Sequence, residues 1–273
     1  MMKNCNRPLI HALIVGTLVG LAPMKAGATI EQTRHFGDLS YIDHFNGEVL
    51  GIEILNCASN PATTEMVVPP TLEGKPVLRI REYAFENCIH LTRITLPGSI
   101  EFIGVVAFRN CTSLKTINIP NGVPNIGGFA FANCESLMTI DIPNSVGDIG
   151  RSAFEGCDSL THVTTGGPSS GMTSIGEEAF FSCNNLDYVE IGASVTSIGD
   201  RAFQLCPKLR HLVGNLRHGE DSTIGEEAFS GCFSLDAAPL IHGVTTIGDR
   251  AFYECSSLTD VYIPRTVVSR AYA

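Results

Sequence analysis

The chain has 273 residues, 44% of them apolar, which is enough to fill a sizeable packed core and excludes a wholly disordered polymer. Its formal charge of −10 argues against nucleic acid and anionic membranes as partners, since both are themselves polyanions.

Residues 1–28 read as an export signal. Lys3 and Arg7 supply the positive start, Leu9 to Leu21 the apolar stretch, and Ala26-Gly27-Ala28 the small residues expected before a cleavage point. The apolar stretch contains His11 and falls short of the roughly 20 apolar residues that cross a bilayer, and no later stretch reaches that length either. Removal of residues 1–28 takes Lys3, Arg7 and Lys25 and no acidic residue, so the charge falls from −10 to −13. A secreted or extracellular-surface protein is the expected product. Residues 29–79 then form a lead-in that can cap whatever follows.

From Ile80 to Pro264 one pattern recurs eight times: Ile-Gly-x-x-Ala-Phe-x-x-Cys-x-x-Leu-x-x-Ile-x-Ile-Pro. The copies start at Ile80, Ile103, Ile126, Ile149, Ile175, Ile198, Ile224 and Ile247, spaced by 23 residues except for two spacings of 26. A copy this short cannot bury its own apolar positions, so copies must stack into one continuous column. The segment Leu-x-x-Ile-x-Ile, as in Leu114 to Ile119, has the period-2 alternation of a short strand, and eight such strands would stack in parallel. Pro97, Pro120, Pro143 and Pro264 end the strand because proline cannot continue the ladder. On the return side Ala-Phe-x-x-Cys fits a short helical turn, preceded by a glycine where a positive φ or a close neighbouring coil favours a residue without Cβ. The expected fold is an α/β solenoid: a leucine-rich-repeat horseshoe with a parallel sheet of about eight short strands and short helical turns on its other face. Residues 265–273 are left as a short tail.

Eight copies of a motif with six or more fixed positions resemble the BspA-type leucine-rich repeats of bacterial surface antigens and some parasitic protists. The resemblance covers residues 80–264, and Gly74-Lys75-Pro76-Val77 resembles the lead-in that often precedes such arrays. It implies a curved parallel-strand solenoid used for adhesion and protein recognition, and no catalytic residues or cofactor.

Cys88, Cys111, Cys134, Cys157, Cys183, Cys206, Cys232 and Cys255 fall at one position of the repeat and form a ladder. Parallel Cβ vectors on adjacent rungs do not suit the dihedral of a disulfide, so these residues read as buried free thiols. The C-x-x-C spacing of a zinc site is absent. Asn110-Cys111-Thr112 matches a glycosylation sequon but overlaps the buried ladder, and Gly166 to Gly171 is glycine-rich without the Lys-Ser/Thr of a phosphate loop.

Function is expected at the outward strand positions, because the inward ones are committed to the core. His162, Tyr188 and His211 occupy one outward row on consecutive rungs, at roughly 5 Å intervals, and Glu190 and Tyr262 belong to a second row. These five residues are the candidate partner-binding set. Both three-residue insertions, within Thr164 to Thr173 and Gly214 to Thr223, flank copy five and border the same patch. A Cys or Ser nucleophile needs a base held in place by a third group, and the only acids for His162 and His211 are Glu190 and Asp187, so no enzyme is expected. The expected role is recognition or adhesion toward a protein ligand, such as a host or matrix protein. The alternatives are a structural, self-assembling envelope component that pairs through its C-terminal strand edge, and a glycan-binding protein if the insertions build a pocket.

Overall fold

The structure, a computed structural model, describes residues 33–45, 49–57, 61–165, 170–214, 222–238, 244–259, 261 and 263–270. The expected export signal of residues 1–28, Tyr262 and the tips of both insertions lie outside them. Six strands precede the first full repeat: β1 (Arg34–Phe36), β2 (Leu39–Phe45), β3 (Val49–Cys57), β4 (Glu65–Val67), β5 (Thr71–Leu72) and β6 (Lys75–Ile80). Two short strands then alternate along each coil: β7 (Arg93–Thr95), β8 (Phe102–Ile103), β9 (Thr116–Ile117), β10 (Asn125–Ile126), β11 (Thr139–Asp141), β12 (Asp148–Ile149), β13 (His162–Thr164) and β14 (Ser174–Ile175). The alternation continues through β15 (Tyr188–Glu190), β16 (Ser197–Ile198), β17 (His211–Val213) and β18 (Ser222–Ile224), and ends with β19 (Val244–Ile247) and β20 (Ser269–Arg270).

The result is a β-solenoid of about eight coils, each with three sides. The first side is a long sheet in the order β1-β2-β3-β6-β8-β10-β12-β14-β16-β18-β19-β20, antiparallel through β3 and parallel thereafter. It runs through the Ile-Gly positions, where the isoleucine is buried and the glycine brings adjacent coils together. A Cβ on Gly104 would lie 2.5 Å from the backbone nitrogen of Glu82, and one on Gly248 would lie 2.4 Å from that of Glu226. Neither glycine has a positive φ, so close approach, and not backbone conformation, excludes a side chain there. The Leu-x-x-Ile-x-Ile strands form the second side, and they make two shorter parallel sheets, β4-β7-β9 and β11-β13-β15-β17, where one sheet of eight strands was expected.

The third side corrects the expected helical turns, for the described residues contain no helix. Consecutive β-turns take their place. Ala84, Glu86 and Cys88 donate their N–H groups to the carbonyls of Arg81, Tyr83 and Phe85, three residues back. The intervening residues Tyr83, Phe85 and Asn87 donate instead to Val105, Ala107 and Arg109 on the next coil, at 3.2, 2.7 and 2.9 Å. A helix would consume every N–H within the coil, whereas this arrangement gives alternate ones to the neighbour. It requires a left-handed backbone at two places per coil, as at Tyr83 (φ 63°) and Asn87 (φ 61°). Asparagine suits that conformation, and Asn87, Asn110 and Asn133 also link their side-chain amides from coil to coil at 2.9 and 3.0 Å.

Inside this turn face stands a stack of phenylalanines from Phe85 to Phe252, with centroids 4.9–5.3 Å apart and planes within 8° of parallel. Beside it runs the cysteine ladder. Cys111, Cys134, Cys157, Cys183, Cys206, Cys232 and Cys255 are free thiols, and each donates to the phenylalanine carbonyl of the preceding coil at 3.0–3.3 Å. Cys88 departs from the expected free-thiol ladder, for it is disulfide-bonded. As the first rung it stacks on the lead-in, where no preceding rung imposes parallel Cβ vectors.

Ahead of the first repeat the strands β1, β2 and β3 extend the long sheet. Arg34 pairs with both Asp43 and Glu73, Lys75 Nζ lies 2.8 Å from Asp43, and the Tyr41 hydroxyl donates to Glu73 at 3.1 Å. The Lys75 hydrogen bond, and then that of Arg34, hold the Asp43 carboxyl below its ordinary range. Arg34 and Asp43 lie on the antiparallel strands β1 and β2, Glu73 in the turn before β6 and Lys75 at the start of β6, so the charges tie the antiparallel strands to the first parallel one.

Candidate recognition surface

The outward row is built by strand register. Val163 and Val189 are fully buried, which turns the residues beside them, His162 and Tyr188, away from the core. His162 pairs with Tyr188, and Tyr188 with His211, as Cα partners on three successive rungs. The expected adjacency of these three residues is therefore present. The His162 and Tyr188 rings stack with centroids 5.7 Å apart and planes at 25°, and His162 Nδ1 lies 3.0 Å from the Thr161 hydroxyl. Tyr188 is half-buried by its neighbours, while His162 and His211 are exposed. The result is an aromatic surface already held in place, so a partner covering it would restrict few additional rotors.

The second row lies two residues further along each strand. The Thr164 hydroxyl donates to Asp141 at 2.7 Å, Glu190 is half-buried, and Val213 is exposed at 47%. The first insertion is anchored directly against this row. Thr165 is buried and donates its hydroxyl to the Glu190 carbonyl at 2.9 Å, and buried Ser170 accepts the Met172 N–H at 3.2 Å. Thr165, before the segment 166–169, is thus held beside Glu190, and Ser170, after it, lies beside Gly192. The second insertion leaves the same edge at Gly214, whose φ of 113° and 2.0 Å approach of a would-be Cβ to the Ile191 carbonyl leave room for glycine alone. Of the five expected site residues, His162, Tyr188, Glu190 and His211 come together, and Tyr262 lies outside the described residues.

One feature of this region escaped the sequence analysis: Leu212, at a core position, is only half-buried, as Ile117 is on β9, whereas their counterparts Ile94, Ile140, Val163 and Val189 are at most 1% exposed.

Elsewhere a shallow groove of about 600 Å³ runs past the ends of the long-sheet strands, lined by Glu177, Asp200, Glu226 and Asp249, one from each of four coils. Two of its acids serve the scaffold: Glu177 pairs with Arg151 at 3.3 Å and Arg201 at 3.2 Å, and Asp200 accepts the Glu226 N–H at 2.7 Å. Among the described residues no group of three or more His, Cys, Asp or Glu side chains converges to hold a metal ion, and no helix is long and apolar enough to cross a membrane.

The comparisons with known proteins agree with this architecture. The crystal structure of a T. pallidum leucine-rich-repeat protein is 30% identical and superimposes with a TM-score of 0.65, covering 75% of this chain and 91% of that one. A leucine-rich cell surface protein of Faecalibacterium prausnitzii A2-165 is 29% identical with a TM-score of 0.58, over 79% of this chain and 54% of its own length. At 20% identity, a leucine-rich-repeat protein of Eubacterium ventriosum shares the fold, with a TM-score of 0.55 over 73% of this chain and 60% of that one. No curated protein sequence matches. Residues 78–210 and 167–272 match the BspA type leucine rich repeat region in six copies, and the chain belongs to that family.

Proposed function

We propose that this protein is an exported, surface-exposed recognition module that binds another protein through His162, Tyr188, Glu190 and His211. The observation that carries this reading is the register-aligned row His162, Tyr188 and His211, with one ring pair already stacked and an anchored insertion on its border. Membership in a leucine-rich-repeat family and likeness to a bacterial cell surface protein support it. In this reading residues 1–28 are removed on export, residues 29–79 cap the array, and the acidic chain favours encounter with a basic surface such as that of a host or matrix protein. No residue is assigned a catalytic role.

The experiment is capture of partners from host-surface and matrix extracts by residues 29–273, beside the double variant Tyr188→Ala, His211→Ala. A partner held by the native protein and lost by the folded variant supports the row as the site. An unchanged set of captured proteins counts against it.

A second reading, a self-assembling structural component, is favoured by one feature of the last coil. The N–H groups of Arg250, Phe252 and Glu254, whose counterparts on earlier coils donate to the next coil, have no acceptor among the described residues. That end could pair with another chain. Light scattering that shows a sharp monomer at high concentration would remove this reading.

A further inference from the structure

Coil two, which starts at Ile103, and coil three, which starts at Ile126, meet along a seam that lacks bonds its neighbours have. On the side sheet Lys115, Thr161, Asp187 and Arg210 each donate an N–H to the preceding coil at 2.9–3.1 Å, but Met138, at the same repeat position, gives none to Lys115. Ile142 and Ile191 donate to the following coil at 2.9 and 2.7 Å, and Ile119 does not. Asn118 turns its side chain to coil one, where Oδ1 accepts the Leu96 N–H and Nδ2 donates to the Leu96 carbonyl, both at 2.9 Å. β9 and β11 are left unpaired.

The corner before the long sheet has the same defect. There Glu101, Gly147, Thr173 and Thr196 donate to Leu78, Pro124, Gly147 and Thr173 on the preceding coils at 2.6–2.9 Å. Pro124 holds that position on coil three and has no N–H for the Glu101 carbonyl. In the long sheet β8 and β10 pair at Ile103 and Ile126 alone, whereas β6 with β8 and β10 with β12 each match at two residues. No ion pair among the described residues crosses the seam.

The turn face is intact at the same seam. Val106, Phe108 and Asn110 donate to Gly128, Ala130 and Ala132 at 2.9, 2.7 and 2.8 Å, and the Phe108 and Phe131 rings stack at 5.2 Å with planes 1° apart. The corner is in contact though unbonded, since a Cβ on Gly122 would lie 2.8 Å from the Ile100 carbonyl. The seam is thus tied firmly on one side and loosely on the other two.

We propose that this seam is a hinge between two cooperative blocks, the described residues up to Asn118 and those from Gly122 on. Each coil of a solenoid touches only its neighbours, so stability is a sum over coils and interfaces, and cooperativity breaks at an interface with fewer bonds. Opening starts at the side sheet and corner and turns about the Phe108–Phe131 side. His162, Tyr188 and His211 all lie in the second block, so their row keeps its register when the first block opens. This goes beyond the recognition reading and does not depend on it.

The test is native-state amide exchange of the protein in rising urea. The Phe85, Asn87, Phe108 and Asn110 amides, all bonded to the following coil, are expected to share one opening curve and one urea slope. Phe131, Phe154 and Phe180, bonded in the same way on later coils, are expected to open at least about tenfold less often. Pro124→Thr supplies the N–H that Thr173 and Thr196 carry at the same position. It is expected to slow the opening of the first block about three- to tenfold and to change Phe154 and Phe180 less than about twofold.

A single curve spanning Phe108 and Phe131 would overturn the proposal, and so would a gradual rise from coil to coil, the pattern of end fraying. Equal slowing of every amide by Pro124→Thr would do the same. The native protein decides the matter even if Pro124→Thr folds poorly.

Discussion

The long sheet and the side sheets are built from the same coils, yet the first is continuous from β1 to β20 and the second is broken twice. At each Ile-Gly rung a buried isoleucine and a glycine in backbone contact leave one spacing available, so every coil repeats the last. On the side face a rung needs only one buried apolar residue, and its outward neighbours vary from Arg93 to Tyr188. That ladder is interrupted between β9 and β11 and, among the described residues, ends at β17. Uniformity thus resides where coils touch through backbone, and variation where a partner can reach.

The sharpest way to break this comparison is through the aromatic stack that adjoins the long sheet. Phe154 is fully buried between Phe131 and Phe180, 5.2 Å from each. Phe154→Ala is expected to lower stability by about 3–5 kcal/mol, from lost transfer energy and the cavity left in a column that cannot slide. Urea unfolding measures it, and a loss under about 1.5 kcal/mol would mean that the coils collapse around the gap and are less rigid than their spacing indicates. Next in size is Gly199→Ala, whose added Cβ would sit 2.6 Å from the Glu177 nitrogen. Overpacking against backbone is expected to cost about 1–3 kcal/mol in the same measurement. An alanine at an outward side-strand position such as Thr139 is expected to stay within about 0.5 kcal/mol.

These contrasts also mark what could be read from the sequence. The isoleucine, phenylalanine, cysteine and leucine columns were legible because each recurs at one position of the repeat. The adjacency of His162, Tyr188 and His211 followed from that spacing alone. The turn face was not legible, since Ala-Phe-x-x-Cys places its core residues three apart both in a helical turn and in successive β-turns. Only the left-handed asparagines at Asn87, Asn110 and Asn133 hinted at the second. The long sheet escaped because a two-residue strand ending in glycine shows no period-2 alternation.

The thiol ladder supplies a pH test of the same tightly packed interior. Burial raises the pKa of Cys157 far above the ordinary 9.0, and that of Cys255, nearer the end of the stack, to about 11. A raised folded-state pKa stabilises the fold fully below pH 9.0, where both states hold the proton. The contribution is lost as pH rises from there, because the unfolded chain releases the proton while the folded chain cannot. Cys157 is expected to contribute about −1.4 kcal/mol per pH unit to the slope above pH 9, and Cys255 the same only up to about pH 11. Cys157→Ala should therefore flatten the alkaline limb of the stability curve by that amount. Phe131, whose carbonyl accepts the Cys157 thiol, keeps its bond from the Cys134 N–H. An unchanged slope would show that the Cys157 thiol ionises in the folded protein.

A small effect is expected at the outer stack, and it separates packing from recognition. Tyr188 stacks on His162 at 5.7 Å, a spacing close to the 5.2 Å of the inner phenylalanines, but it is half-buried and its ring lies on a surface. Little apolar area returns to water when it is truncated, so Tyr188→Ala is expected to cost no more than about 1 kcal/mol in urea unfolding. Near-equal spacing with an unequal energetic result would show that burial, and not ring contact, carries the stability of the inner stack. A cost near that of Phe154→Ala would reverse the assignment and make the His162–Tyr188–His211 row part of the scaffold. A small cost joined to lost partner capture would leave the row free to vary with its partner while the coils beneath it stay uniform.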